Sequence, residues 1–442
     1  MIIQFQKPNP MSATITVNRA HRPSLTPPMA LDVSLKPYTC IKLDNGVPVY
    51  FMHADHYETI FLDIVFPAGE IYASQVLEAS ATNALMKSGT SRHSAREIDE
   101  TIEFYGAYLD AYTESQVAGY GIYMLSKHLP ALLPVLFEIL TDPVFPDEEI
   151  RLYQQTKKQQ LRINLKKSDV VADRLMDEML YGSTHPYGRS EQESDYDALH
   201  RDMLKAFHRR HYVLSAAKIF LAGKIEDRFL DLLNQYFGHP ADQSFSLQAT
   251  VPPPASAANH QLKHIIDENA LQAAVRVARV LPGYGSADYN LLSLLNVVLG
   301  GYFGSRLMSN IREEKGYTYG IHSIVYPYDA QYASWLITTE VGREVAQATI
   351  QEIYHECHRL MAEPIPEEEL MMVKNYLIGT LLGRLDGPVQ QIKKWRSLIL
   401  RSQDEADYAR QIHTFKTATG EQLLNVARRY LRPEWFYEVV VF

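Results

Sequence analysis

Two imidazoles, a carboxylate and a thiol stand side by side at His355-Glu356-Cys357-His358. Nitrogen and sulfur donors that close together on a helix are compatible with a bound metal. The pattern is short and has no companion cluster, so an ordinary helix is the better reading. His208 and His211, three residues apart with Arg209 and Arg210 between them, read as the solvated end of a helix rather than a ligand pair. The run Gly300-Gly301-Tyr302-Phe303-Gly304 is too compact for a nucleotide loop and lacks the Lys-Ser/Thr of a phosphate cradle, which leaves a turn between helices. No Gly-x-Ser-x-Gly elbow is present, and neither Cys40 nor Cys357 has the surroundings of a nucleophile. Serine and cysteine hydrolase chemistry therefore has no support. Two cysteines build neither a disulfide framework nor an all-cysteine metal site, and they leave the redox compartment open.

The elements that must position any site belong to a folded, multidomain chain. Its 442 residues are 46% hydrophobic and 21% charged, without a low-complexity tract. A formal net charge of -9 speaks against a general nucleic-acid or anionic-membrane surface, because phosphate binding needs an excess of Lys and Arg. Neither nucleic acid nor membrane is expected as a partner. The first residues hold no apolar run of signal-peptide length, and nothing downstream reaches the length of a membrane span. The expectation is a soluble, cytoplasmic protein; a misassigned start, with Met11 and Met29 as alternatives, would allow a periplasmic one.

Residues 1–30 read as a loose N-terminal arm. Residues 239–260, around VPPPASAAN, are rich in Pro, Ala and Ser and read as a linker. The linker separates an N-terminal domain, 31–238, from a C-terminal domain, 261–442. The first half opens with two β-rich runs around Asn45-Gly46, then the apolar strand Thr59–Phe66. Helices follow over Ser94–Tyr105, Leu129–Leu140, Asp147–Lys167 and Asp169–Tyr181, and the strand AKIFLAG closes the half. The second half repeats this grammar from the strand AAVRVARVL to the final FYEVVVF. The fold class is α+β, with two homologous domains, each a mostly antiparallel sheet covered by helices.

The wording of these segments resembles the family of pitrilysin and the mitochondrial processing peptidases from about Leu43 to Phe442. Leu43-Asp44-Asn45-Gly46, then Gly89-Thr90, then Ser94-Ala95-Arg96-Glu97-Ile98 follow one another as they do in that family. FGSRLMSNIREEKGYTYG is similar to the family's C-terminal block, and PVFPDEEI and FHRRHY also fit. The resemblance implies a two-domain half-shell that faces a second one around a chamber, with the 300–304 turn facing substrate.

One departure decides what the resemblance implies for function. The family's inverted zinc motif, His-x-x-Glu-His, falls on Ser80-Ala81-Thr82-Asn83-Ala84, and its remaining Glu ligand falls at or next to Gln160. A catalytic zinc needs three protein donors and an open position for water, and its general base must titrate. Ser80, Asn83, Ala84 and Gln160 are thus degenerate positions rather than ligands, and this chain itself is expected to carry no cofactor. The family's C-terminal Arg and Tyr are retained as Arg312 and Tyr319, with Tyr319 expected in the following strand. The implied function is that of a noncatalytic subunit, in which this pair completes the site of a homologous zinc-binding partner and helps to hold unfolded peptides. The alternative is a structural or peptide-binding protein of the same fold; a metal site around His355 and His358 is a further rival that metal content would test.

Overall fold

A computed structural model describes residues 26–239 and 251–442. Parts of the arm and the linker named above lie outside the described residues. The first half holds strands β1 (Thr39–Lys42), β2 (Pro48–His53), β3 (Thr59–Phe66), β4 (Tyr108–Thr113), β5 (Ala118–Leu125) and β6 (Lys218–Gly223). The second holds β7 (Gln261–His264), β8 (Gln272–Pro282), β9 (Ile321–Pro327), β10 (Tyr332–Gly342) and β11 (Tyr437–Val441). Each half builds one sheet, in the orders β1-β2-β6-β3-β5-β4 and β7-β11-β8-β10-β9. β2 pairs parallel with β6, and β7 parallel with β11; the remaining pairings are antiparallel. Once β1 is set aside, the two sheets share one connectivity, which is the duplication expected from the repeated order of segments. Among the described residues no helix is long and apolar enough to cross a membrane.

One face of each sheet packs on helices of its own half. In the first half Leu62, Ile64 and Phe66 of β3 meet Leu132, Leu136 and Ile139 of the helix Leu129–Thr141. In the second, Val275 and Val277 of β8 join Leu295 and Leu299 of the helix Tyr289–Gly300. The opposite faces are covered reciprocally. Phe61 and Val65 of β3, with Phe220 of β6, pack against Ile392, Trp395 and Leu398 of the helix Gly387–Leu400, which belongs to the second half. Ala274 and Ala278 of β8, with Val439 of β11, pack against Ala172, Met176 and Leu180 of the helix Ser168–Tyr181, which belongs to the first. Each half therefore keeps one core of its own, and the two halves share the two cores on the opposite faces.

A charge sits at the centre of each exchanged face. Asp63, 2% exposed, accepts from Arg396 Nε at 2.7 Å and from the Tyr112 hydroxyl at 2.6 Å. Arg276, 3% exposed, donates through Nε to Asp173 at 2.5 Å and through Nη2 to the Asp169 carbonyl at 3.2 Å. Buried ions without partners would be costly, so these pairs fix which helix lies on which sheet.

The same seam holds Asp177, whose carboxyl is pushed up to about 7 by burial and by Asp173 beside it. A carboxyl raised on folding contributes stability that is complete below its unfolded value near 4 and lost as pH rises through about 7. At about 1.4 kcal/mol per tenfold in ionisation, the penalty at pH 8 is at most about 4 kcal/mol. Asp177→Asn should melt above the parent at pH 8 and converge with it towards pH 4. A difference of equal size at both pH values would remove Asp177 as its source.

Candidate functional site

The segment Arg306–Glu314 enters as one short α-turn and then widens into a π-helix over Met308–Glu314. The wider turn is closed by Lys315 N–H donating to the Asn310 carbonyl at 3.0 Å, five residues back. Leu307, Met308 and Ile311 anchor its inner side in the core of the second half. Gly316, at φ +67°, supplies the left-handed residue that ends it. Arg312 is left on the outer side. Its Nε donates to the Tyr319 carbonyl at 3.1 Å, and its guanidinium carbon stands 4.5 Å from the centre of the Phe303 ring. Glu313 approaches Nη1 only to 3.8 Å. The fork of Arg312 is thus held in place by its Nε while both terminal nitrogens remain available.

Tyr319 does not lie in a strand, in contrast to the sequence expectation. β9 begins at Ile321, the last residue of its register with β10, opposite Thr339. Before it the backbone is gathered around the Thr318 hydroxyl, which accepts from Gly320 N–H at 3.1 Å and lies 2.8 Å from the Glu340 carbonyl. Side-chain bonding replaces the ladder there, so Tyr319 occupies a bend and is 96% exposed. The fold nevertheless brings Arg312 and Tyr319 into direct contact. The sequence reading passed over Phe303 as part of a glycine-rich turn; its ring, 64% exposed, is the platform for Arg312. The turn itself is as expected, and its first glycine is required: a Cβ on Gly300 would lie 2.6 Å from that of Ser323.

Of the four positions expected to be degenerate zinc positions, Ser80, Asn83 and Ala84 lie on the helix Glu78–Leu85 and Gln160 on the helix Asp147–Asn164. Asn83, 1% exposed, is a structural hub. Its Nδ2 donates to the Tyr112 carbonyl at 2.9 Å, its Oδ1 accepts from the Tyr212 hydroxyl at 2.9 Å, and its carbonyl accepts from the Tyr120 hydroxyl. Ser80 lies beside the Glu70 carboxyl, whose proton affinity burial raises while Ser80 and Arg189 oppose the rise. Ala84 offers no donor atom. Gln160 is exposed and gives its amide to Asn164 Oδ1 at 3.0 Å on its own helix. One hydroxyl, one saturated amide, one methyl and one outward amide do not fit a zinc ion. Among the described residues no group of three His, Cys, Asp or Glu side chains could hold a metal.

The other histidines also sort out. His208 and His211 are buried, not solvated as the sequence suggested, because both turn inward from their helix onto Phe145, Phe207, Tyr72 and Tyr212. His208 Nε2 is bonded to the Leu140 carbonyl at 2.9 Å, and burial lowers both rings' affinity for a proton. The quartet at 355–358 is split by the helix: His355 and His358 are exposed, whereas Glu356 and Cys357 are buried. Burial pushes the Cys357 thiol up to about 12, which removes it as a nucleophile.

Comparison with known proteins agrees with this geometry. The family described as "Insulinase (Peptidase family M16)" matches residues 71–190, and "Peptidase M16 inactive domain" matches residues 198–377. The chain belongs to peptidase family M16. YmxG, an uncharacterized zinc protease of Bacillus subtilis, is 23% identical over 359 residues, covering 80% of this chain and 85% of that one. A Pseudomonas fluorescens structure described as a peptidase M16 inactive domain superposes with a TM-score of 0.81 at 21% identity, covering 91% of this chain and 98% of the other. The periplasmic protease PqqL from Escherichia coli superposes at 0.75 with 17% identity over 95% of this chain, which accounts for 48% of PqqL. Within the M16 fold, Asn83 is committed to packing, and Arg312 and Tyr319 are displayed.

The two places should respond differently to substitution. Asn83→Ala strands the Tyr212 hydroxyl and should cost about 1–3 kcal/mol in denaturant unfolding. Arg312→Ala and Tyr319→Phe, at the surface, should stay within about 0.5 kcal/mol of the parent. A large loss at Arg312 or Tyr319 would make that pair structural.

Proposed function

We propose that this chain is the zinc-less member of a paired M16 peptidase, lending Arg312 and Tyr319 to a homologous partner that keeps His-x-x-Glu-His. The observation that carries the reading is the display of the pair: a phenol 96% exposed, beside a guanidinium whose orientation is fixed through Nε and whose terminal nitrogens are unspent. A surface tyrosine held in a side-chain-bonded bend gains little for stability, and its hydroxyl makes no hydrogen bond with a described residue. Such donors suit a carbonyl oxygen presented from outside. That PqqL is about twice the length of this fold unit supports the idea that two such units work together.

In this reading the partner supplies the zinc and the general base. Arg312 offers two parallel N–H donors to the backbone carbonyls of an extended peptide and holds it in register. Tyr319 donates its O–H to the carbonyl oxygen that gains charge during hydrolysis. Two half-shells enclosing a chamber admit unfolded peptides in preference to folded proteins. Among the described residues no group of three His, Cys, Asp or Glu side chains could hold the metal, so this chain should not hydrolyse peptides alone.

The test is cleavage of an unstructured peptide by this chain alone, by the co-purified His-x-x-Glu-His homologue alone, and by the two together. Only the pair should cleave. Tyr319→Phe should lower kcat by on the order of 100-fold without dissociating the pair, and Arg312→Ala should act chiefly on kcat/KM. Unchanged rates in both variants would leave a structural or peptide-binding role; cleavage by this chain alone would overturn the reading entirely.

A further inference from the structure

The helix Glu367–Gly383 is fastened beside the segment that carries Arg312. Arg306 grips Glu369 in its first turn through Nε at 2.8 Å and Nη2 at 2.9 Å. Tyr302 adds a ring contact to Tyr376, centre to centre at 4.9 Å, and its hydroxyl meets Met372 Sδ at 4.0 Å. The inner side of the helix is spent on the chain's own cores, Leu370 and Val373 in the second half and Ile378 beneath β3. The outer side carries no charge over most of its length: between Leu370 and Gly383 the only charged residue is Lys374, and it is buried. Met372, Tyr376, Gly379 and Gly383 recur at helical spacing as one exposed stripe, flanked by exposed Met371 and Leu382. A helix side open to water ordinarily carries charged and polar residues, so this one is shaped for a contact.

Three features narrow what makes that contact. Gly379 sits inside the helix, where glycine is less favourable than alanine, and a Cβ there would meet nothing within 4 Å. The chain's own packing therefore does not call for a glycine, whereas a backbone that approaches the helix from outside does. The stripe is also continuous with the pair proposed above, because Tyr302, packed on Tyr376, is followed by Phe303, whose ring stands 4.5 Å from the Arg312 guanidinium carbon. Met372 and Tyr376 are 56% and 43% exposed. Methionine re-packs around side chains of different shape, which suits a succession of varied sequences better than one fixed subunit contact. A stable subunit interface takes about 20–30 residues a side, several times what the stripe offers.

We infer that the outer face of the helix Glu367–Gly383 receives the apolar side chains of the peptide whose backbone Arg312 holds, and so selects unfolded segments with an apolar run beside the held carbonyl. The inference rests on the peptide-holding role proposed for Arg312 and adds the class of peptide. From Met372 to Gly383 the stripe is about 16 Å long, which an extended chain covers in about five residues. Successive side chains of such a chain point to opposite sides, so about two or three of the five lie on the stripe. Gly379 lets the peptide backbone come close, and Met372 and Tyr376 pack on the side chains that flank it.

The test is fluorescence anisotropy of the full chain with two fluorescein-labelled Gly/Ser peptides, one carrying Leu-Val-Leu-Ala-Phe and the other Gln-Ser-Asn-Ser-Gln in its place. The apolar peptide should bind at least about tenfold more tightly. Met372→Glu and Gly379→Gln should each weaken the apolar peptide at least about fivefold and leave the polar one unchanged. Gly379→Gln should melt no lower than the parent, since Gln favours a helix more than Gly does, so its loss of binding is not a loss of fold. Arg312→Ala, acting on the backbone, should weaken both peptides alike. Absence of binding by the apolar peptide, equal binding of the two, or indifference to Met372→Glu and Gly379→Gln overturns the inference, and a loss with Arg312→Ala would still uphold the role of Arg312. Loss in the stripe variants without loss in Arg312→Ala upholds the stripe and removes the peptide-holding role of Arg312. A p-benzoylphenylalanine placed at position 376 should cross-link to the apolar peptide on illumination; cross-links only to a second copy of the chain, or to its own residues 1–25, overturn the assignment to peptide.

Discussion

Separating the two halves of this molecule would part Asp63 from its counter-ion. It lies in the middle of β3, between Phe61 and Val65, on a face covered in part by the helix Gly387–Leu400, and Arg396 of that helix is the cation that meets it. An ion pair taken out of water contributes little net stability, yet breaking one by removing a partner is costly. The Asp63–Arg396 pair is therefore a device for specificity more than for strength. Arg276 and Asp173 repeat it on the other exchanged face with the signs reversed: here the sheet carries the cation and the helix the anion. Opposite polarity at two related places discourages either helix from docking on its own half's sheet, which would leave both charges unmatched.

This mutual cover fixes the frame on which the second half displays its surface groups. β9, the edge strand that follows Tyr319, is tied inward by Ser323, whose hydroxyl accepts from Trp335 Nε1 at 2.7 Å and donates to Asn296 Oδ1 at 2.7 Å. The bond links β9, β10 and the helix Tyr289–Gly300 in one buried network, a few residues from the exposed bend. A side chain as free as Tyr319 is thereby carried on backbone that is well held, which is the combination that positioning an external carbonyl demands.

Most of the framework was legible because local signals and the final fold agree. Thr59–Phe66 reads as a buried strand and is one; Asn45-Gly46 forms the expected turn, with Gly46 at φ +86°; Ser94 and Glu97 form a capping box at the start of a helix whose apolar face carries Ile98 and Ile102. The exchange of helices was not legible, since apolar periodicity shows that a face is buried without showing what buries it. The π-turn is closed by a local bond, Lys315 to Asn310, whose five-residue register no residue type announces, and the bend at Tyr319 rests on a tertiary bond, Thr318 to Glu340, that no short window contains. His208 and His211 were misplaced for a similar reason: a polar helix end carrying Arg209 and Arg210 looks solvated until the aromatic residues contributed by other segments are in place. The glycine-rich turn hid Phe303 because composition draws attention to its glycines, whereas its chemistry lies in its aromatic residues.

The two halves differ in how they treat their polar groups, and that difference bears on function more than the loss of any single ligand. Where the resemblance would put the zinc motif, Asn83 is buried, its Nδ2 and Oδ1 are each bonded, and the Tyr120 and Tyr212 hydroxyls are spent on it. An amide has no proton to exchange at working pH, so this position serves packing and not general-base chemistry. At Arg312 and Tyr319 the second half instead leaves the terminal guanidinium nitrogens and the phenol without a hydrogen-bond partner among the described residues. The polar groups around Asn83 close on one another, whereas this pair is open to an acceptor that arrives from outside, held in place by the Arg312 Nε bond and the Phe303 ring.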